Sequence, residues 1–257
     1  MLTFNNLGRY GRLGNQMFQI ASTIGIATRH GYEFGFPQWQ NYDAKERFNT
    51  KEDIDVQQYF KNPLPLCEKK DRVHFVDWGY HRLNLEDNIS LAGHLQSEKY
   101  FLHCKDLVRH YFEPKEERGV CPFEICSIHV RLGDYDDNYH PRLGLDYYLP
   151  AMEEMKKKGI SWFMVFSDDI EQAKAIFSNK PEWVTFIDFA SAFSSTMYDF
   201  RYMQAFKYHI IGNSTFSWWT AWLSNCPPQN VIAPRNWFGK IANLSSEDIY
   251  CEGWTIL

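Results

Sequence analysis

Four short runs of this 257-residue chain bring together residue types that could do chemistry. The first is His129-Val130-Arg131-Leu132-Gly133-Asp134-Tyr135. A guanidinium beside a glycine that permits close backbone approach can hold a phosphate through paired charge-assisted hydrogen bonds. An Arg131–Asp134 surface ion pair is the plain structural alternative on the same spacing. The second run, Ser167-Asp168-Asp169, sets two carboxylates side by side. An acid on a ribose hydroxyl or a purine donor edge, a metal-ligand pair, and an N-cap for a helix from Ile170 all fit. One Asp can cap while its neighbour faces a cleft. In the third, Asn213-Ser214-Thr215-Phe216-Ser217 leads into WWTAWL, and hydroxyls with N–H groups at a helix start form either an anion site or a plain Ser/Thr cap. The fourth, Gly11-Arg12-Leu13-Gly14-Asn15-Gln16, lacks the GxGxxG spacing of dinucleotide loops, and GxxxxGK[ST] occurs nowhere, so a tight turn is its default reading.

Regular elements must position these runs. After the glycine loop, Met17, Ile20, Ala21, Ile24 and Ala27 recur at helical spacing until Arg29-His30-Gly31 ends the pattern. Residues 32–36 and 89–95 read as short strands, and a helix is expected over about 98–111. Between 37 and 88 the chain is polar and Pro-punctuated, with no clear period. Pro114 and the charged run 115–118 resemble a linker. From Ile125 onward apolar strands (125–130, 162–166, 184–189, 209–213, 230–234) alternate with helices (about 146–158, 170–178, 195–208, 216–224), which predicts a doubly wound α/β domain with a parallel sheet covered on both faces. In such sheets ligands bind beyond the carboxyl ends of the strands, and Arg131, Asp168-Asp169 and Ser214-Thr215 all fall there. Trp219, Trp222 and Leu223 share one helical face, which reads as core.

Composition narrows the classes. Hydrophobic residues make 44% and charged residues 23%, values of a folding globular chain. The net charge of −5 gives no bulk positive field for nucleic acid or an anionic membrane. No uncharged apolar run approaches the ~18 residues a span needs, and residues 1–6 carry no basic stretch ahead of an apolar one, so a cytoplasmic location is expected. Six cysteines without CxxC or zinc-type spacing read as reduced structural thiols. Aromatic residues reach 17%, suiting a large core and sugar-stacking surfaces.

Together the runs resemble glycosyltransferase family 11, the α-1,2-fucosyltransferases. The family's GGLGNQMFQYA stands here as GRLGNQMFQIA at 11–21, its HxRRGDY as His129 to Tyr135, its FSDD at Phe166 to Asp169, and its NSTFSWW at Asn213 to Trp219. GHLQSEKYF at 93–101 and APRNWF at 233–238 are weaker echoes, and all the matches keep the family's order. Two positions depart: Leu132 replaces the second arginine of the RR pair, and Tyr208 stands where the family has histidine.

The resemblance implies an α/β, GT-B-like architecture of two Rossmann-like lobes: an acceptor-side lobe at 1–118, a nucleotide-sugar-binding lobe with a parallel sheet at 119–257 whose last segment could return to the first lobe, and a cleft between them. It implies inverting transfer of L-fucose from GDP-β-L-fucose to a galactoside hydroxyl in α-1,2 linkage on a glycan, with no metal and no other cofactor. Arg131, the Ser214-Thr215 helix start and the Gly14-Asn15-Gln16 loop are then expected on the diphosphate, and His129 with Asp168 or Asp169 on guanine or ribose. Arg131 and Asp134 are the catalytic candidates, while the general base stays open among Asp134, Asp136 and Asp137. The alternatives are a transferase for another nucleotide sugar, with a metal at Asp168-Asp169 or Asp53-x-Asp55, and a non-catalytic glycan-binding protein using a Trp-rich surface.

Overall fold

The computed structural model describes residues 1–39, 55–116, 119, 121, 123–136, 138–178, 183–188 and 195–257. Asp53, Asp137 and the end of the expected linker, 117–118, lie outside the described residues. The chain divides into two compact units, residues 1–116 with 247–249 and residues 117–246 with 250–257.

The first unit holds β1 (Leu2–Thr3), α1 (Leu13–His30), β2 (Val73–Phe75), β3 (Ile89–Ala92) and α2 (Lys105–Tyr111). Its sheet has the order β1-β3-β2 and is parallel throughout. α1 is buried from Leu13 to Ala27 apart from Asn15. Gly31 stops it in the left-handed region at φ 69°, donating its N–H to the Ala27 and Thr28 carbonyls, while Arg29 and His30 complement the dipole of the last turn. Gly25 lies where any Cβ would strike the Tyr100 carbonyl, so α1 packs directly on the segment carrying residues 98–104.

Two expectations are corrected here. Residues 32–36 form no strand, only isolated bridges at Phe34 and Phe36. The helix expected over 98–111 starts at Lys105, because two 3-10 turns meet at Phe101, whose φ −127° and ψ 0° interrupt the helix. β2 went unread, its three exposed residues showing no alternation of burial.

The second unit holds β4 (Ile125–Val130), α3 (Leu145–Lys157), β5 (Trp162–Ser167), α4 (Ile170–Ile176), β6 (Val184–Phe186), α5 (Ser195–Gln204), β7 (Tyr208–Ile210), α6 (Thr215–Leu223), β8 (Val231–Ala233) and β9 (Thr255–Ile256). The sheet order is β6-β5-β4-β7-β8-β9, parallel at every step, as the alternation of strands and helices predicted. Side chains alternate across it. Cys126, Ile128 and Val130 join Phe163, Val165 and Ile210 in the core beneath α3 and α4. The opposite face carries Ser127, His129 and Phe166, where Phe166 packs with Met203 and Phe206 and His129 meets Phe216 of α6. The chain leaves β4 toward β5 and β6, returns through α5 to β7, and continues outward to β8. The carboxyl ends of β4 and β7 therefore flank the point where strand order reverses, the usual ligand crevice of such a sheet.

α6 is nearly all core. Trp218, Trp219 and Leu223 are buried, and Trp222 packs on Trp219 at 5.3 Å and parallel to Trp218 at 6.2 Å. Its tryptophans are thus core, as their helical spacing indicated, and supply no Trp-rich glycan surface. All six cysteines are free, and among the described residues no helix is long and apolar enough to cross a membrane.

Candidate functional site

Arg131 is the residue that follows β4, and alternation puts it on the α5–α6 side of the strand. Its side chain is only 13% exposed and is held from two directions. Nη1 lies 2.9 Å from Asp168 Oδ2, and Nη2 donates to Asp134 Oδ1 at 2.5 Å. The guanidinium also sits 5.7 Å from the centre of the Tyr135 ring. Burial alone would weaken its hold on the proton, but Asp168 and Asp134 reverse that and raise it above the ordinary arginine value, so the charge is permanent. The ion pair read from the spacing is therefore present, as half of a two-carboxylate clamp.

Asp168 has a wider task than the sequence indicated. Its Oδ1 accepts from Leu132 N at 2.9 Å and its Oδ2 from Gly133 N at 3.0 Å, so one carboxylate fastens the turn after β4 to the end of β5. Gly133 is needed there, since a Cβ would run into Asp168 Oδ2. Asp169 takes the capping role: its Oδ1 accepts from Gln172 N at 3.0 Å at the start of α4, and these bonds hold its carboxyl below the usual range. Asp168 and Asp169 thus divide the work between turn and cap, and in this structure both carboxylates bond to the chain itself.

Leu132 falls on the other side of the strand from Arg131. It is 2% exposed in the core with Leu143, Tyr147 and Tyr148. The departure from the RR pair thus replaces a charged residue with a packing residue. Tyr208, the other departure, pairs with Cys126 across the sheet, and its phenol is pushed up chiefly by its hydrogen bond to Glu124.

Asn213 and Ser214 arrive from the end of β7. Tyr135 donates its hydroxyl to the Asn213 carbonyl at 2.6 Å. Asn213 Nδ2 in turn donates to the Pro141 carbonyl at 2.9 Å and the Trp237 carbonyl at 3.2 Å, joining the loops after β4 and β8. Ser214 is the N-cap residue of α6 in an extended conformation, and its side chain makes no capping hydrogen bond. Thr215 opens the helix. Gly212 brings the two strand ends together: a Cβ there would lie 3.0 Å from the His129 carbonyl and 3.8 Å from Arg131 N.

His129 is buried against Phe216, with ring centroids 5.4 Å apart, and its carbonyl accepts from the Tyr148 hydroxyl at 3.1 Å. Burial lowers its pKa to about 4, Arg131 adding to the effect and Asp168 opposing it, so the imidazole is neutral near pH 7. Its Nδ1 and the Oδ1 of Asn213 are buried without a hydrogen-bond partner among the described residues.

The second unit therefore gathers His129, Arg131, Asp134, Asp168, Asp169, Ser214 and Thr215 at adjacent strand ends. Gly14, Asn15 and Gln16 lie in the first unit, in the opening turn of α1. There Asn15 Oδ1 accepts from Gln96 Nε2 at 2.9 Å, Gln16 Oε1 accepts from Trp39 Nε1 at 3.1 Å, and Gly11, at φ 82°, leaves room for the Asn15 side chain folded over it. Sequence reasoning missed Tyr135, Asn213 as a loop clip, and the partnership of Asp168 with the turn. A tyrosine and an asparagine at two strand ends were the available signal.

An α-1,2-colitosyltransferase of Escherichia coli is 32% identical over 287 residues, covering 95% of either chain. The O-antigen biosynthesis glycosyltransferase WbnK of Escherichia coli is 36% identical over 118 residues, 44% of this chain and 38% of that protein. The crystal structure of the fucosyltransferase NodZ from Bradyrhizobium is similar over 86% of this chain and 91% of its own, at 12% identity and a TM-score of 0.47. The model of the family named glycosyl transferase family 11 matches residues 3–257, and the chain belongs to that family.

Proposed function

We propose that this glycosyltransferase moves L-fucose from GDP-β-L-fucose to a galactoside hydroxyl in α-1,2 linkage, with inversion and without a metal. The observation that carries the reading is Arg131, a permanently charged fork held at the strand-order reversal beside the uncapped start of α6. The acceptor oxygen bonds to the anomeric carbon as the bond from that carbon to the β-phosphate oxygen breaks, and the electron pair leaves on GDP. Negative charge grows on the β-phosphate. Donors already in place lower that barrier, and losing one costs about 10² to 10³ in rate in comparable sites. Arg131 and the first turn of α6 supply this positive potential.

Arg131 is shared between Asp134 and Asp168, so an incoming diphosphate competes with these carboxylates for it. Asp168 is held in place by the N–H groups of Leu132 and Gly133, so the displacement falls to Asp134. Asp134 then stands on the turn beside the reacting groups, where it orients Arg131 or takes the hydroxyl proton. Asp136 is a poorer base, its carboxyl held low by the N–H groups of Tyr139 and Asn138. His129, neutral and buried, suits the nucleoside side of the donor.

The relative that covers 95% of either chain favours a second reading in the same site, transfer of colitose from a nucleotide-activated donor. Incubation with GDP-fucose or GDP-colitose, a panel of β-galactosides and excess chelator tests both. Mass analysis of the product is expected to show one fucose added and GDP released. A protein that uses UDP-sugars and ignores both GDP donors contradicts the reading, and activity that disappears with chelator contradicts its metal independence.

A further inference from the structure

Beside Arg131 the second unit builds an aromatic wall from two separate loops. Tyr135 stacks on His140, with centroids 4.9 Å apart and planes at 20°. Tyr139 meets His140 edge-on at 4.9 Å and Phe238 at 6.3 Å, and Phe238 closes on His140 at 5.8 Å. The backbone is fixed behind these rings. Gly239 N donates to the Tyr139 carbonyl at 2.8 Å, Tyr139 N donates to Asp136 Oδ1 at 3.1 Å, and Asn213 clips the same two loops together. Yet Tyr139, the ring that the loops hold outermost, is 45% exposed, and Phe238 is only half-buried. A large aromatic ring braced so firmly and left open to solvent suits a partner with an apolar face.

We infer that Tyr139 and Phe238 form the platform on which a pyranose ring of the acceptor glycan stacks. This deepens the glycosyl-transfer reading and rests on it for the identity of the sugar. The wall connects to Arg131 through His140 and Tyr135, and on the transfer reading the phosphate that Arg131 holds carries the anomeric carbon on its sugar side. The acceptor must come within bonding distance of that carbon, whereas the donor base lies beyond two phosphates and a ribose. The chemistry agrees with the position. A pyranose offers one face of C–H groups, for which rings suffice, while guanine is read along an edge of N–H donors that calls for a facing carboxylate. An open, ring-bearing surface also lets the rest of a glycan extend into solvent.

Kinetics of Tyr139→Ala and Phe238→Ala with GDP-fucose and the best galactoside of the panel test this, alongside calorimetric titration of GDP and ligand-observed NMR of that galactoside without donor. The expected result is an acceptor KM raised about five- to tenfold, as for loss of one aromatic contact, with donor KM and GDP affinity unchanged. Tyr139→Phe, which keeps the ring, rescues the acceptor KM. Weakened GDP binding with an unmoved acceptor KM overturns the inference in favour of a base-stacking wall, and no change in either parameter overturns it outright. A wild-type protein that transfers no sugar but binds the galactoside in a Tyr139-dependent manner contradicts the transfer reading and leaves the platform standing.

Discussion

Asp168 Oδ2 lies 2.9 Å from Arg131 Nη1 and also accepts the Gly133 N–H, so the carboxylate that pairs with the cation at the end of β4 also fixes the turn that carries it. The cation and its backbone are aligned before any ligand arrives. This is the condition under which a charge stabilises a developing phosphate charge without reorganisation at the moment of reaction.

Removing that carboxylate should therefore be felt twice. Asp168→Ala leaves the Leu132 and Gly133 N–H groups without their acceptor, and a lost acceptor for a partly buried donor costs about 1 to 3 kcal/mol. Chemical denaturation is expected to show a loss of that order, and calorimetry a weaker affinity for GDP. Unchanged stability together with unchanged GDP binding would refute the double role.

Asp134 should behave in the opposite sense toward GDP. Its contact with Arg131 Nη2 occupies a donor that the proposed diphosphate contact would use, and its charge opposes an incoming anion. Asp134→Asn is expected to tighten GDP binding several-fold in calorimetry while lowering kcat. Looser binding would show that Asp134 holds Arg131 in place instead of yielding it.

Leu132→Arg restores the second arginine that the family motif has, yet it places a charge at a core position that is 2% exposed. Burying an unpaired cation costs several kcal/mol in practice. Thermal melting is expected to fall sharply with no gain in GDP affinity. A stable variant that binds GDP more tightly would mean that the side chain reaches the crevice after all.

That outcome for Leu132 was open to reading in advance, because Cys126, Ile128 and Val130 alternate with Ser127 and His129, and Leu132 continues the apolar face. The same alternation and the strand-helix succession made the second unit legible, with Arg131, Asp168-Asp169 and Ser214-Thr215 at its strand ends. The division of labour between the two aspartates was not. Cap, ligand contact and turn fastener fit the same spacing, and only the pairing of β4 with β5 brings Asp168 to Leu132 and Gly133. The aromatic wall was equally hidden, since Tyr139 and Phe238 meet only through the loops that Asn213 joins. In the first unit the apolar pattern over 98–111 suggested one helix, but the conformation of Phe101 breaks it.

Asp199, on α5, provides a pH test with a defined sign. Burial, with Asp188 nearby, raises its pKa to about 7, and its Oδ1 has no hydrogen-bond partner among the described residues. Between pH 4 and 7 the unfolded carboxyl releases its proton while the folded one keeps it, so this group costs stability as pH rises, by at most about 1.4 kcal/mol per pH unit. Asp199→Asn is expected to match the wild type near pH 4, to become progressively more stable than it up to about pH 7, and to hold a constant advantage above. The opposing contributions of His129 and His209, both lowered to about 4 by burial, cancel in that difference. Parallel stability curves at every pH would show an ordinary exposed carboxylate.

The role of Arg131 is tested most directly by titrating GDP, with chelator present, into the wild-type protein and into Arg131→Ala after both are shown to be folded by circular dichroism. The expected result is affinity near micromolar in the wild type and loss of about two orders of magnitude or more in the variant, in line with a buried charge-assisted contact. Equal GDP affinity in the two proteins would contradict the assignment of this guanidinium to the diphosphate.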